Sequence, residues 1–182
     1  RKFFDSIDHD ILFQLVKKKV TDPDILNLLY KIIWSFCSSQ GPCRGVPIGN
    51  LTSQIFSNIY LSELDYFVKQ NLRESYYFRY ADDFIFLHYS STHLNKVQDF
   101  VGHFLGEKLR LTIHPNKIIL RTFQQGIDFV GYVELPNHRV LRTSTKHRMF
   151  TKMKQKVRSY NTGECEEGGI DQSLQSYLGL LE

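Results

Sequence analysis

The feature that most constrains the fold is a pair of adjacent aspartates between two aromatic, β-rich runs. Residues 76–80 and 84–89 are rich in tyrosine and phenylalanine, and Asp82 and Asp83 lie between them. Runs of this kind that flank a short polar turn are typical of a β-hairpin. Two like charges at a hairpin tip repel each other unless a cation or water separates them. The pattern therefore predicts a hairpin that presents two carboxylates, either as Mg²⁺ ligands or as a solvated turn.

Helical periodicity surrounds this hairpin. Asp22 and Pro23 are of the types expected at a helix N-cap and first helical position, and apolar residues follow them at helical spacing. Three further amphipathic segments have the same spacing: residues 11–16, 55–68 and 94–105. Short strands are predicted after them, at residues 118–123, 127–133 and 139–142. This order predicts an α+β fold in which helices pack on one face of a single antiparallel sheet.

Composition narrows the class of protein. A chain of 182 residues with 42% hydrophobic side chains can bury a core, and its net charge of +4 allows a polyanionic partner without requiring one. The three cysteines show neither CxxC spacing nor an even number, which argues against a zinc site and a disulfide framework and predicts a reducing, cytoplasmic setting. No signal peptide is visible, and no apolar run approaches the ~20 residues that span a bilayer.

Both ends have the character of positions inside a longer chain. The sequence begins Arg1-Lys2-Phe3-Phe4, which suggests the middle of a strand, and it stops within an apolar helical pattern. After Thr145 the composition becomes basic, and a Gly-rich acidic loop follows at residues 163–169. These changes predict a second subdomain at the C-terminal end.

Four motifs in order resemble the reverse transcriptases. Tyr80-Ala81-Asp82-Asp83 is similar to the family's YxDD signature, in which a hairpin projects carboxylates into the polymerase palm. Residues 3–9 resemble the end of its first palm motif, residues 44–54 its template-and-primer loop and helix, and residues 129–132 its primer grip. The resemblance implies a palm at residues 1–144 and the start of a helical thumb at residues 145–182, with the fingers absent.

The resemblance also implies the chemistry. Asp82 and Asp83 would be catalytic metal ligands that contribute part of a two-metal Mg²⁺ site. Lys117 matches the palm lysine that protonates the departing pyrophosphate, although an ordinary surface lysine is an equal alternative. Asp5, Asp8 and Asp10 are expected to be residues of a helix start rather than metal ligands.

Further positions are implied in substrate and primer binding. Arg1 and Lys2 would meet the triphosphate, and Phe4 would pack on the nucleotide sugar and exclude a 2′-hydroxyl, with a core aromatic as the alternative. The remaining positions serve the nucleotide, the template or the primer: Ile48, Gly49, Ser53, Gln54, Phe129, Gly131 and Tyr132. Asn50, Thr52 and Ser53 are all candidates to cap the helix that follows the loop.

The stretch from Ile48 to Gln54 most resembles the enzymes of diversity-generating retroelements, many relatives of which carry Gln at the position of Ile48. An alkyl group there cannot hydrogen-bond the nucleotide or its template partner, which predicts error-prone copying. Group II intron and retron enzymes are the alternative within the class, and a non-catalytic nucleic-acid-binding palm is the alternative outside it.

The implied partners are an RNA template, a DNA or RNA primer, dNTPs and a small basic accessory protein. The family's first metal-binding aspartate would lie two residues before Arg1. The 182-residue chain is therefore expected to be inactive by itself.

Overall fold

The computed structural model describes residues 2–38, 43–163 and 167–179. It divides into two compact units, residues 1–119 and residues 120–182. The α+β class is confirmed, because both units combine helices with short antiparallel strands. Within the described ranges, no helix has both the length and the apolar composition of a membrane span.

The first unit consists of helices around one hairpin. Its elements in chain order are α1 Lys2–Ser6, α2 His9–Lys17, α3 Pro23–Trp34, α4 Leu51–Tyr66, β1 Tyr77–Tyr80, β2 Asp83–Phe86 and α5 Ser91–Leu109. Helix α4 continues as a π-helical segment at Phe67–Leu72, and a 3-10 turn at Pro115–Lys117 follows α5.

Side-chain caps begin three helices of the first unit, and for two of the capping residues, Asp8 and Asp22, the sequence predicts a position at a helix start. Asp22 accepts hydrogen bonds from the backbone N–H groups of residues 24 and 25 and caps α3, and Pro23 is the first helical residue. Asp8 caps α2 and Ser90 caps α5 in the same way. Of the three candidates for α4, Asn50 occupies the cap position, without a side-chain hydrogen bond.

Helix α4 lies at the centre of the core. It contacts both α2 and α5, and the buried apolar side chains come mainly from these three helices: Leu12, Leu15, Val16, Phe56, Tyr60, Leu61, Leu64, Val97, Val101, Leu105 and Leu109. Helix α3 contributes only Ile33 to the buried set, while Ile25 and Leu28 on the same helix are 49% and 58% exposed. The periodicity of α3 therefore predicts the helix correctly but not the burial of its apolar face.

The second unit contains, within the described residues, a 3-10 turn at Phe123–Gln125, a three-stranded sheet and two α-helices. Its elements are β3 Ile127–Phe129, β4 Tyr132–Glu134, β5 Arg139–Leu141, α6 Thr143–Asn161 and α7 Glu167–Leu178. The strands pair antiparallel in the order β3-β4-β5. The predicted boundary between palm and thumb, at residues 144 and 145, lies at the start of α6 and stays a prediction.

Three strand predictions are wrong. Residues 2–6 form helix α1 rather than a strand, and Ser6 Oγ donates to the Phe3 carbonyl across that turn. Residues 118–122 have no strand partner, and the predicted strand 127–133 is divided by a turn at Val130 and Gly131. The strands also form two separate sheets in place of one. Short apolar runs do not reveal by periodicity whether they form strands, which explains the first two errors.

Two of the cysteines pair. Cys37 and Cys43 form a disulfide with a Cα–Cα distance of 4.9 Å, and the Ser38 N–H donates to the Arg44 carbonyl beside it at 2.8 Å. The expectation that the cysteines form no disulfide is therefore wrong for this pair. The odd cysteine count misled the prediction, because it does not show that two of the three residues are brought together after α3.

One buried carboxylate joins several elements of the first unit. Asp8 is 4% exposed. Its Oδ1 accepts the Ile11 N–H at 3.2 Å, and its Oδ2 lies 2.9 Å from Arg110 Nη1 and 3.5 Å from Arg44 Nε. The Asp8 N–H donates to the Tyr60 hydroxyl at 3.3 Å, and that hydroxyl donates to the Leu109 carbonyl at 2.6 Å. Asp8 therefore links α2, α4, the end of α5 and the segment at Arg44.

The charge of Asp8 is maintained by its partners. Burial disfavours the ionised form, but the hydrogen bonds from Arg110 and the Ile11 N–H, together with the charges of Arg110 and Arg44, hold the pKa of Asp8 below its ordinary value. Burial raises the pKa of Tyr60, so its hydroxyl keeps the proton that it donates to Leu109.

We expect Asp8→Asn to lower the free energy of unfolding by about 1–3 kcal/mol at pH 7, because asparagine can still cap α2 but carries no charge for the two arginines. The folded-state pKa of Asp8 is depressed. Its contribution is therefore complete above the unfolded-state pKa of about 4 and is lost as the pH falls through the folded value. Urea unfolding at several pH values should show the difference shrinking toward pH ~3.

Asp22→Asn is the matched control, because Asp22 caps α3 from an exposed position and asparagine caps a helix equally well. Its free energy of unfolding should stay close to that of the wild type. A deficit of Asp8→Asn that does not change with pH would contradict the ionic role of Asp8.

Candidate active site

The acidic pair lies at the tip of the β1–β2 hairpin, as predicted. Tyr80 pairs with Asp83 in the last rung, so Ala81 and Asp82 are the two central turn residues. Ala81 has a φ of 52°, in the left-handed region that a non-glycine residue rarely occupies. Asp82 is half-buried and Asp83 is exposed. The two aspartates are thus adjacent in sequence at the hairpin tip, and Asp83 is the more exposed of the two.

The hairpin has one face toward the core and one face outward. Tyr77, Arg79, Phe84 and Phe86 share the inner face, because residues paired across two strands point to the same side. Phe78 and Tyr80 lie on the other face and are exposed. The register places Asp83, the partner of Tyr80, on this outer face as well.

Two residues that the sequence analysis did not assign support this turn. Arg79 donates to the Ala81 carbonyl at 2.9 Å and forms an ion pair with Asp65 of α4. Burial opposes ionisation of Asp65, but hydrogen bonds from Arg79 and Tyr77 lower its pKa below the ordinary value. The hydrogen bonds that Arg79 donates to Asp65 in turn raise the pKa of Arg79. Arg79 precedes the YADD stretch directly, and its position beside that motif is the one sequence signal that could have identified it.

The first motif and the loop after residue 43 are packed together. The Gly45 N–H donates to the Ile7 carbonyl at 2.8 Å, and the Val46 N–H donates to the Phe4 carbonyl at 2.9 Å. His9 Nε2 lies 2.6 Å from the Gly45 carbonyl oxygen. These backbone contacts attach the start of the loop to α1 and α2.

The two glycines of this loop have different surroundings. Gly45 has a φ of 99°, and a Cβ on it would lie 3.0–3.1 Å from backbone atoms of Phe4 and Asp5. Gly49 has a φ of 101°, but nothing lies within 4 Å of the position of its Cβ. Gly45 is therefore required by packing within the chain, whereas Gly49 leaves open space beside the exposed side chain of Ile48.

The remaining predicted positions in the first unit are distributed around this loop and after α5. Phe4 is partly buried against the core, and Gln54 is exposed in the first turn of α4. Ser53 is 1% exposed, and its Oγ has no hydrogen-bond partner among the described residues. The side chain of Ser53 thus faces the core, which disfavours the expected template contact.

Lys117 is exposed in the 3-10 turn, and its N–H donates to the His114 carbonyl at 2.9 Å. In the part of the chain that the structure describes, no hydrogen bond or ion pair joins Lys117 to Asp82 or Asp83. Arg1 lies outside the described residues, and Lys2 begins α1 with its side chain outside them.

The predicted primer grip is a tight turn of the second unit. Phe129 pairs with Tyr132, and the two residues between them have positive φ, 51° at Val130 and 88° at Gly131. The Gly131 carbonyl accepts the Arg142 N–H at 3.0 Å. The Arg139 guanidinium lies 5.1 Å from the centre of the Tyr132 ring. The structure therefore places Phe129, Gly131 and Tyr132 together on one hairpin.

The donor atoms of the acidic pair fit Mg²⁺. This ion prefers oxygen ligands, keeps several waters and is commonly bound through one or two carboxylates together with substrate phosphates. Asp82 and Asp83 offer two carboxylates on successive residues at the hairpin tip. Within the described ranges, this pair included, no group of three or more His, Cys, Asp or Glu residues could hold a metal.

Comparison with known proteins identifies the class. The profile of the family "Reverse transcriptase (RNA-dependent DNA polymerase)" matches residues 1–133. The chain therefore belongs to the reverse transcriptase family.

The relatives of this chain among curated proteins include the following three. The chain is 23% identical over 181 residues to protein YkfC of Escherichia coli, an alignment that covers 80% of this chain and 46% of YkfC. It is 20% identical over 191 residues to the COX1/OXI3 intron 2 protein of Saccharomyces cerevisiae, covering 72% of this chain and 22% of that protein. A third match, 36% identical over 74 residues, is the group II intron-encoded protein LtrA of Lactococcus lactis subsp. cremoris, covering 37% of this chain and 12% of LtrA. The chain thus spans less than half the length of each relative.

We expect Gly45→Ala to be more destabilising than Gly49→Ala. Both substitutions force alanine into a positive φ, at about 1–2 kcal/mol each. Only the methyl group at residue 45 also meets backbone atoms of residues 4 and 5, which adds about 1–3 kcal/mol of overpacking. Urea unfolding of the two variants measures the difference, and equal losses would show that the close approach at Gly45 does not contribute.

Proposed function

We propose that the protein containing this chain is an RNA-directed DNA polymerase that joins nucleotides in a Mg²⁺-dependent reaction. The observation that supports the proposal most directly is the acidic pair at the hairpin tip in a chain of the reverse transcriptase family. The substrates proposed are an RNA template, a DNA or RNA primer and dNTPs. A small basic accessory protein is a further proposed partner.

The proposed roles rest on the resemblance to the reverse transcriptases. Asp82 and Asp83 would hold Mg²⁺, which supplies charge stabilisation to the attacking and leaving oxygens of phosphoryl transfer. Lys117 Nζ would donate a proton to the departing pyrophosphate. Both proposals are compatible with side chains that are open to solvent.

The nucleic-acid contacts are proposed for three groups of residues. Arg1 and Lys2 would meet the triphosphate, and Phe4 would lie against the sugar. Ile48, Gly49 and Gln54 would contact the nucleotide and the template, which the exposure of all three residues permits. The primer would be held by the turn of the second unit: Phe129, Gly131 and Tyr132.

The type of retroelement has two candidates. The stretch from Ile48 to Gln54 supports an enzyme of a diversity-generating retroelement. The similarity to LtrA, a group II intron-encoded protein, supports an enzyme encoded by a group II intron. A cytoplasmic location stays a prediction, and the Cys37–Cys43 disulfide weighs against the reducing setting on which that prediction depends. That the 182 residues extend no primer by themselves also stays a prediction.

Asp82→Ala in the full-length protein should slow primer extension on an RNA template by at least about 10²-fold, because a metal ligand that stabilises transition-state charge is lost. Asp99→Ala is the matched control, since Asp99 is an exposed carboxylate on α5 and is not part of the hairpin. Near wild-type extension by Asp82→Ala would refute the assignment.

Ile48→Gln should lower the misincorporation frequency, because an amide can hydrogen-bond the nucleotide or its template partner where isoleucine offers only contact. Ile25→Gln, at a similarly exposed isoleucine on α3, serves as the control. Sequencing of cDNA made by each protein from one template provides the measurement. An unchanged or higher error frequency for Ile48→Gln would remove Ile48 from the explanation of fidelity.

A further inference from the structure

Arg79 on β1 and Asp65 on α4 form a two-point ion pair. Arg79 Nε donates to Asp65 Oδ1 at 2.7 Å, and Nη2 donates to Oδ2 at 2.5 Å. The Tyr77 hydroxyl donates to Oδ1 of the same carboxylate at 2.8 Å. The Arg79 side chain is only 12% exposed. Two parallel hydrogen bonds fix the plane of a guanidinium as well as its position.

The third nitrogen of Arg79 reaches the acidic turn. Nη1 donates to the Ala81 carbonyl at 2.9 Å and lies 3.4 Å from Asn58 Oδ1 of α4. Ala81 is the left-handed residue of the turn, and its carbonyl belongs to the peptide group that it shares with Asp82. A residue other than glycine in this conformation costs about 1–3 kcal/mol and persists where the surrounding structure fixes it. The hydrogen bond from Arg79 is such a restraint.

We propose that Arg79 is a positioning residue for the Asp82–Asp83 turn and that Asp65 holds Arg79 in place for it. This inference rests on the proposed metal-binding role of the two aspartates. Helix α4 is part of the core, so the bonds from Asp65 to Arg79 and from Arg79 to Ala81 connect the exposed turn to a rigid element. The turn that carries the two carboxylates is then held in one conformation before a cation binds. This lowers the entropic cost of ordering the carboxylates on binding.

Arg79→Lys separates the positive charge of the side chain from its planar hydrogen-bonding geometry. It keeps the positive charge beside Asp65, but one ammonium group cannot reproduce the planar fork that directs Nη1 to the Ala81 carbonyl. We therefore expect the Asp82–Asp83 turn of Arg79→Lys to lose its fixed conformation while the ion pair with α4 remains. Asp65→Asn should act in the same direction, because it removes the charged acceptor that fixes the guanidinium.

The test is Mn²⁺ binding to the full-length protein, measured from the free Mn²⁺ signal in electron paramagnetic resonance. Arg79→Lys and Asp65→Asn should each raise the dissociation constant about 10-fold or more, the range seen when residues that orient metal ligands are replaced. The dissociation constant of the double variant should be no higher than that of whichever single variant binds Mn²⁺ more weakly, because both residues act through one path. Arg73→Lys is the matched control, since Arg73 is exposed after the π-helical segment, and it should bind Mn²⁺ as the wild type does.

Asp82→Ala, measured alongside, distinguishes failure of this inference from failure of the proposed function. If Asp82→Ala leaves Mn²⁺ affinity unchanged, the metal-binding role itself is wrong. If Asp82→Ala weakens binding but Arg79→Lys and Asp65→Asn do not, the positioning role is overturned. Circular dichroism checks that each variant is folded, and Asp65→Asn alone decides the question if Arg79→Lys unfolds.

Discussion

The carboxylate of Asp8 is the interaction on which the arrangement of the first unit depends. A charge that is removed from water must be paired, and the partners of Asp8 come from distant parts of the chain: Arg44 after the disulfide-linked segment, and Arg110 after α5. Satisfying this one group therefore brings three separate segments to the same place. The backbone pairing of Asp8 with Arg44 also accompanies the close packing of the next residue, Gly45, on backbone atoms of α1.

Helix α4 connects this buried network to the acidic hairpin. The Tyr60 hydroxyl accepts a hydrogen bond from the Asp8 N–H, whereas Asn58 and Asp65 accept hydrogen bonds from Arg79. Asn58 and Asp65 are seven residues apart, about two helical turns, so they lie on one side of the helix. The loop and the acidic turn are thus positioned by different faces of the same buried helix. A change in the packing of α4 would alter both parts of the candidate site together.

Features that depend on residues close in sequence were predicted more completely than features that depend on residues far apart in the chain. The caps at Asp8 and Asp22 and the hairpin around Asp82 and Asp83 depend on residues close in sequence, and the structure confirms them. The pair between Asp8 and Arg110 joins residues 102 positions apart, which no periodicity reveals. Tertiary packing also decides burial, so α3 was predicted as a helix while the exposure of its apolar side chains was not.

The acidic turn combines two requirements that oppose each other. Adjacent carboxylates repel, and this repulsion is weakest where water screens it, which suits the accessible position of Asp82 and Asp83. An exposed turn, however, is free to change conformation, and mobile ligands bind a cation less well. In this chain the carboxylates stay accessible at the tip, Asp82 half-buried and Asp83 exposed. The restraint is applied one residue away, at the Ala81 carbonyl, by an arginine that is itself mostly buried. Separating the solvated charges from the buried support allows both requirements to be met at a single hairpin.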